Sequence, residues 1–380
     1  VGDRPAVNTP ATVAWISCVG EKGGAEVTML HTFRVQDRSR FHPAVVQLRP
    51  GPLSRELQEL AVDNYVLTEH RMRNVFGVAK AIVQIANLAK KHQFALLHSN
   101  GFRAHVYGGL AAALAGIPEV WTGHTAEVPG LSTRAILAIP THQVIANCPR
   151  TARFFQDAGK PTQMIWPGVN TAQLDRGTPR AELASRYKIP ADRRWVAMGA
   201  RLQRFKGQRE FVRAIASVPA ASGIHGIVIG GSLFGQENDY ERELRALAAE
   251  LKVTDRITFT GFIPDADVAG FLGASCLTLH PAHEEDFGLA VAEAQALGVP
   301  TIAFATVGPS AIIEEGKTGW LVPIGDQDRL NAALAKALAV PDLLPALGSA
   351  ARERSRRLFG IEEHVRQTQE VYSRVLAANR

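Results

Sequence analysis

The chain has 380 residues, 46% hydrophobic and 21% charged, with a net charge of +6. That length is long for one core and ample for two domains, and the composition is that of a globular enzyme, not of a disordered or fibrous chain. No apolar run reaches the ~18–20 residues of a membrane span, no basic-then-apolar leader opens the chain, and no zinc-finger, RNP or helix-turn-helix pattern accompanies the positive charge, so nucleic acid is not an expected partner.

In chain order, residues 12–19 read as a first strand. Gly20-Glu-Lys-Gly23-Gly24-Ala-Glu26 follows, and a helix runs on through Met29 and Phe33. Glycines between a strand and a helix bring backbone amides close to a ligand, although these lack G-x-G-x-x-G spacing and a plain tight turn is the alternative. Next come a strand at 44–48, a helix at 53–60, a short strand at 64–67 and an amphipathic helix at 75–91, whose apolar stripe reads as core. A buried strand at 94–98, a small-residue helix at 104–115, the strand and loop Val120-Trp-Thr-Gly-His124, and strands at 142–146 and 163–166 complete a first set. Residues 167–179 are turn-rich and aperiodic, as an interdomain linker would be. A second alternation then has strands at 195–198, 226–229, 257–260, 276–280, 301–304 and 320–322. Helices at 209–215, 239–251 and 268–272 lie among them, and the chain from Asp326 onward is mostly helical.

Such alternation predicts α/β architecture: two doubly wound, Rossmann-like domains, each with a parallel sheet covered on both faces. Ligands in these sheets sit at the carboxyl ends of strands, where Gly20 to Gly24, Asn100, His124 and Asn147 all fall. Cys18, Cys148 and Cys276 each lie in or beside an apolar run, the pattern of reduced core thiols, so a cytoplasmic protein is expected. The basic balance leaves room for peripheral contact with an anionic membrane at its inner face. Arg34, Arg38, Arg40, Arg71 and Arg73 mark either such a surface (or an acceptor surface) or simply a solvated face.

The densest chemistry is Pro281-Ala-His-Glu-Glu-Asp-Phe-Gly-Leu-Ala-Val-Ala-Glu-Ala294, an acidic loop between a strand and a helix. Glu293 lies on a helix that is apolar nearly all round, and a lone buried carboxylate costs several kcal/mol unless something hydrogen-bonds to it. Glu285 lies beside the amides of Phe287, Gly288 and Leu289, which open the helix and can hold an anion. Two acids around an anion site suit a phosphorylated polyhydroxyl ligand. The bland alternative is a helix-capping Glu285 and a Glu293 paired with a core Arg or Lys. Upstream, Arg201-Leu-Gln-Arg-Phe-Lys206-Gly207 puts two cations at the carboxyl end of a strand, suited to phosphate oxygens. His98, His280 and His283 stand at or near strand ends, where histidines are more often structural than functional.

Together these motifs resemble a retaining nucleotide-sugar glycosyltransferase of family 4, with the GT-B fold of two Rossmann-like domains facing across a cleft. The resemblance rests on Gly23-Gly24-Ala-Glu26, Thr122-Gly-His124, Gly199-Ala-Arg201 with Lys206-Gly207, Glu285-Asp-Phe-Gly288-Leu-Ala-Val-Ala-Glu293 and Gly316-Lys-Thr-Gly319. Pro167-Gly-Val-Asn170 departs from the family's pattern by one missing residue and by Asn in place of Asp. The resemblance implies an N-terminal acceptor-side domain over residues 1–171, a donor-binding domain over 172–357, and a terminal helix at 358–380 that crosses back. It implies that Arg201 and Lys206 neutralise the donor diphosphate as it leaves. Glu285 and His124 would contact the transferred sugar, and Glu293 would hold the ribose hydroxyls. Gly23, Gly24 and the amides near Phe287, Gly288 and Leu289 would add neutral donors, and the base would pack near Gly230, Gly231, Phe262 and Ile263. No cofactor and no metal are expected, since no Asp-x-Asp or His/Cys cluster is present. The partners implied are a nucleotide-diphosphate sugar donor and a glycan, lipid-linked or small-molecule acceptor. A nucleotide-sugar epimerase, a sugar phosphorylase and a non-catalytic binder are the alternatives, since fold alone does not decide among them.

Overall fold

A computed structural model of the chain describes residues 10–21, 23–68, 72–125, 131–232 and 238–379. The chain divides into two compact units, Val1–Gly168 with Ile361–Arg380, and Val169–Gly360. These divisions lie close to the expected 171/172 and 357/358. They fall where they do because the chain enters and leaves the second unit side by side: the amide of Val169 donates to the carbonyl of Phe359 at 2.7 Å, within a parallel bridge between Val169 and Gly360. Asn170 then caps the short helix Thr171–Leu174, its Oδ1 accepting from the amide of Gln173. Asn and Asp serve about equally well as N-caps, so the departure from the family's Asp is physically neutral here.

The first unit holds a seven-stranded parallel sheet. Its strands are β1 (Ala11–Ser17), β2 (Phe41–Gln47), β3 (Asp63–Val66), β4 (Leu96–Asn100), β5 (Glu119–Gly123), β6 (Gln143–Ala146) and β7 (Thr162–Met164), in the order β3-β2-β1-β4-β5-β6-β7. One face packs Trp15, Met29, Phe33 and Phe41 against Val371, Tyr372 and Val375, so the terminal helix Ile361–Ala378 is part of this unit's core. The other face packs Ile16, Val46 and Leu97 against Ile85 and Tyr107. The helix Val75–Lys91 has the bounds its periodicity predicts. Its Val78, Ala81 and Ile85 are buried as expected, but Phe76 points to solvent, 90% exposed.

Two helices of the first unit, Leu131–Ala138 and Pro149–Asp157, are not foreseen by the pattern. The second is capped by the buried thiol of Cys148, which accepts from the amide of Thr151, a cap that carries no familiar signature. Arg34 pairs with Glu56, Arg38 donates to the carbonyls of Leu60 and Ala61, and Arg40 donates to Ser373. Those three arginines tie parts of the first unit together, while Arg71 lies outside the described residues.

The second unit holds β8 (Arg194–Gly199), β9 (Ile224–Ile229), β10 (Ile257–Phe259), β11 (Leu277–His280), β12 (Thr301–Phe304) and β13 (Gly319–Val322) in the order β10-β9-β8-β11-β12-β13, all parallel. Its strands are apolar on both sides: Val196 and Met198 face one core, Trp195 and Ala197 the other. In each sheet the order reverses beside the first strand, between β1 and β4 and between β8 and β11. Such a reversal opens a crevice outside the carboxyl ends of the strands. No single described helix is long and apolar enough to cross a membrane.

Candidate functional site

In the second unit the chemistry-bearing loops leave β8 and β11, the two strands that flank the reversal. The loop after β8 turns through Arg201, makes one 3-10 turn at Arg204–Lys206, and enters the helix Gln208–Ser217 through Gly207. Gly207 has φ +83°, and a Cβ there would lie 1.9 Å from the carbonyl oxygen of Pro281, so only glycine lets the two loops touch. The amide of His283 donates to the carbonyl of Phe205 at 2.7 Å and fastens them.

This contact delivers Lys206 to Glu285 across 79 residues of sequence. Nζ of Lys206 donates to Oε2 of Glu285 at 2.8 Å, and Nε2 of His280 shares the same oxygen at 3.0 Å. Lys206 and Glu285 each keep 15% of the side chain exposed. Burial acts to raise the Glu285 carboxyl. The hydrogen bond and charge of His280 and the charge of Lys206 outweigh it and hold the pKa at about 2. Glu285 is therefore ionised and does not cap the helix that follows. That helix, Leu289–Ala296, opens at Gly288 with no side-chain cap among the described residues. Phe287 just before it is buried against Phe359, so its ring is closed to a ligand.

Glu293 is in the opposite state. It is half-buried, and it has no hydrogen-bond or ion-pair partner among the described residues, which removes the expectation of a core Arg or Lys beside it. Burial first, and the charge of Asp265 second, push its pKa up to about 8. Arg201 is likewise half-buried with no partner for its guanidinium among the described residues. Its backbone is held firmly, the carbonyl accepting from Gln208 Nε2 at 2.7 Å and the neighbouring Leu202 being buried.

Gly230 and Gly231 close the loop after β9. A Cβ on Gly230 would lie 2.2 Å from the carbonyl oxygen of Ala200, so this loop presses on the Arg201 turn. Gly231 lies against the ring of Phe262, which is 60% exposed. Ile263 is different: it packs on the core around Phe271 and Leu272, so of that pair Phe262 is the one open to a ligand.

In the first unit the amide of Gly23 donates to Glu26 Oε2 at 3.0 Å as the helix Gly24–Val35 begins. A Cβ on Gly24 would meet no protein atom within 4 Å, so the space beside it is open. At the end of β5, His124 Nε2 lies 2.6 Å from Asn100 Oδ1, and Asn147 Nδ2 donates to the His124 carbonyl. Burial, reinforced by His364, brings the His124 pKa down to about 4, so the ring is neutral at neutral pH.

The histidines divide. His98 is fully buried between Tyr372 and Thr122 and is structural. His283 pairs with Glu210. His280, which the sequence leaves on the structural side, instead joins the Lys206–Glu285 pair; its only signal is its place five residues before Glu285 at the end of a strand.

Residues 22–173 match the model of Glycosyltransferase Family 4, and residues 179–354 match that of Glycosyl transferases group 1. The D-inositol 3-phosphate glycosyltransferase of Thermobispora bispora is 28% identical over 361 residues, 89% of this chain and 84% of that protein. The enzyme of the same name from Acidothermus cellulolyticus is 28% identical over 281 residues, 68% of this chain and 62% of that protein, less than two thirds of its length. Among solved structures, Anabaena HepE in complex with UDP-glucose is similar with a TM-score of 0.80 at 22% identity, over 95% of this chain and 99% of that one. With both halves matched and both sheets wound in this way, the chain belongs to the family 4 glycosyltransferases and has the GT-B fold of two Rossmann-like domains.

Proposed function

We propose that this glycosyltransferase moves a hexose, with retention of configuration, from a nucleoside-diphosphate sugar to a hydroxyl acceptor without a required metal ion. The observation that carries the reading is the charge arrangement at the reversal of the second sheet. A guanidinium with no carboxylate and a helix start with no side-chain cap among the described residues, and an ammonium shared with Glu285, all lie on loops from adjacent strands. Arg201, Lys206 and the first amides after Gly288 would take up the negative charge that grows on the leaving diphosphate. Fixed donors aimed at developing charge stabilise the transition state more than the ground state.

In this reading Glu293 accepts from the ribose hydroxyls, Glu285 accepts from hydroxyls of the transferred sugar, and His124 also contacts that sugar. Gly23 and Gly24 leave room for it, and the base packs against Gly230, Gly231 and Phe262. The bond from the anomeric carbon to the phosphate oxygen breaks with its electron pair going to the phosphate. The acceptor oxygen attacks from the same face, and its proton passes to the departing phosphate.

Among the described residues no three His, Cys, Asp or Glu side chains gather as a metal site, and the two cations take that part. A UDP-sugar is the donor to try first, because HepE is solved with UDP-glucose. A phosphorylated polyol heads an acceptor panel that includes glycans and lipid-linked saccharides, because the relatives' name specifies D-inositol 3-phosphate. The enzyme would work in the cytoplasm, in peripheral contact with an anionic membrane, a reading the net charge of +6 supports. The test is product analysis by NMR after incubation with UDP-glucose and the acceptor panel in excess EDTA. A product with the donor's anomeric configuration is expected. An inverted product, or activity lost in EDTA and restored by magnesium, would overturn the proposal.

A further inference from the structure

Beside His124 the first unit encloses a cavity of about 20 Å³, whose wall includes Asn100, His124, His364 and Thr368. That is room for one water molecule and no more. Two polar atoms of these residues are buried with no hydrogen-bond partner among the described residues: Nδ2 of Asn100 and Oγ1 of Thr368. Native cores rarely leave such atoms dry, and a polar cavity of one-water size is how they are usually satisfied. His364 adds a third group. Its Nδ1 donates to the carbonyl of Trp166 at 2.8 Å, which leaves Nε2 to accept. His364 and Thr368 stand one turn apart on the terminal helix Ile361–Ala378, so both lie on the same face of it.

We propose that the cavity holds one ordered water bound by Asn100, Thr368 and His364, and that Thr368 acts through this water as a positioning residue that fixes the tautomer of His124. The reasoning runs through the Asn100 amide, which can sit in either of two orientations. With Oδ1 toward His124, at the observed 2.6 Å from Nε2, the imidazole must carry its proton on Nε2, and Nδ1 is left as an acceptor. With the amide turned over, Nδ2 donates to Nε2 and the proton moves to Nδ1. In the proposed arrangement His364 Nε2 and Thr368 Oγ1, a hydroxyl that can donate or accept, take the two protons of the water. Its lone pairs then face Asn100 and select Nδ2, the first orientation. Removing the Thr368 hydroxyl frees one water proton to face the amide oxygen, and the second orientation becomes accessible. The terminal helix thereby does more for the first unit than fill its core with Val371 and Tyr372.

The consequence for transfer rests on His124 meeting the donor sugar, so the test separates the two. The variants are Thr368→Val, which keeps the shape and loses the hydroxyl, and Thr368→Ser, which keeps the hydroxyl. In the wild type, imidazole 15N spectra should show His124 with its proton on Nε2 alone, and crystals diffracting to about 1.8 Å or better should show one water in the cavity. Thr368→Val should give mixed tautomers and a kcat lower by about tenfold with the donor KM nearly unchanged, and Thr368→Ser should restore both. A dry cavity in the wild type overturns the proposal even if the valine variant does not fold, as does a valine variant whose His124 spectrum is that of the wild type. His124→Ala with unchanged turnover and donor affinity sinks the donor-side role of His124 and leaves the water and the tautomer standing on their own measurements.

Discussion

Glu293→Gln is the substitution that sets stability against binding most directly. The folded carboxyl has a pKa of about 8, against the ordinary 4.5 of a glutamate in the unfolded chain. Between those values the folded protein holds a proton that the unfolded chain has released, so stability falls as pH rises through the window and levels off above pH 8. At pH 7 the full linkage term is about 1.4 kcal/mol for each of roughly 2.5 pH units, or ~3 kcal/mol. Glu293 keeps some contact with water, and screening reduces this to about 1–2 kcal/mol. Glutamine cannot ionise, so the variant should match the wild type near pH 4.5 and exceed it by about that amount at pH 7.5. The assay is urea unfolding of both proteins at pH 4.5, 6 and 7.5, with UDP titrated calorimetrically into each. Nucleotide affinity should move the other way, falling by at least about tenfold, since an ionised acceptor of hydroxyl protons contributes about 1.5–3 kcal/mol. A glutamine variant that is no more stable than wild type at pH 7.5 would refute the burial argument. One that binds UDP equally well would refute the ribose contact.

Three other outcomes are expected. Arg201→Ala and Lys206→Ala should each lower kcat by about 10²–10³-fold in a transfer assay while circular dichroism stays native, because each removes a fixed charge from the leaving group; unchanged turnover in both would remove that role. Wild-type stability should fall as pH drops from 6.5 toward 4, because the unfolded chain gains a proton at His124 that the folded ring, with a pKa of about 4, refuses. His124→Asn should lose part of this acid sensitivity, read as a flatter profile of Tm against pH. Asn170→Asp should leave thermal stability nearly unchanged, and Asn170→Ala should cost about 1 kcal/mol by calorimetry, as loss of an N-cap does.

What could be read from the chain was set by what acts locally. The strands of both sheets are short apolar runs between turn residues, legible to within two or three residues at their ends, and the helix Val75–Lys91 carries its period on its face and is legible in both bounds. The helix Pro149–Asp157 is not, because its cap is a thiol. Two features of the site depend on strands meeting in space. The Lys206–Glu285 contact needs β8 and β11 to be neighbours, and nothing in sequence order says that strands about 80 residues apart pair. The place of His280 follows from the same pairing. Ile263 is hidden for the opposite reason: it looks like its neighbour Phe262, and only the packing around Phe271 tells the half-buried residue from the exposed one.

The two acids of one loop and helix also show why a motif is not yet a mechanism. Glu285 and Glu293 are chemically alike, yet the structure holds one ionised, at a pKa of about 2, and the other at about 8. The difference comes from partners: Lys206 and His280 on one oxygen of Glu285, and none among the described residues at Glu293. Environments that drive like groups apart are how a site divides tasks between them. Glu285 is already balanced before any ligand arrives, so a diphosphate that draws on Lys206 weakens that balance and leaves His280 to hold the carboxylate. Glu293 is unbalanced until something offers it hydroxyl protons. A ligand that engages both therefore relieves one cost as it imposes another. Of the two acids, Glu293 should then govern how nucleotide affinity depends on pH, with binding tightening as pH rises from 6 toward 8 and its carboxyl ionises.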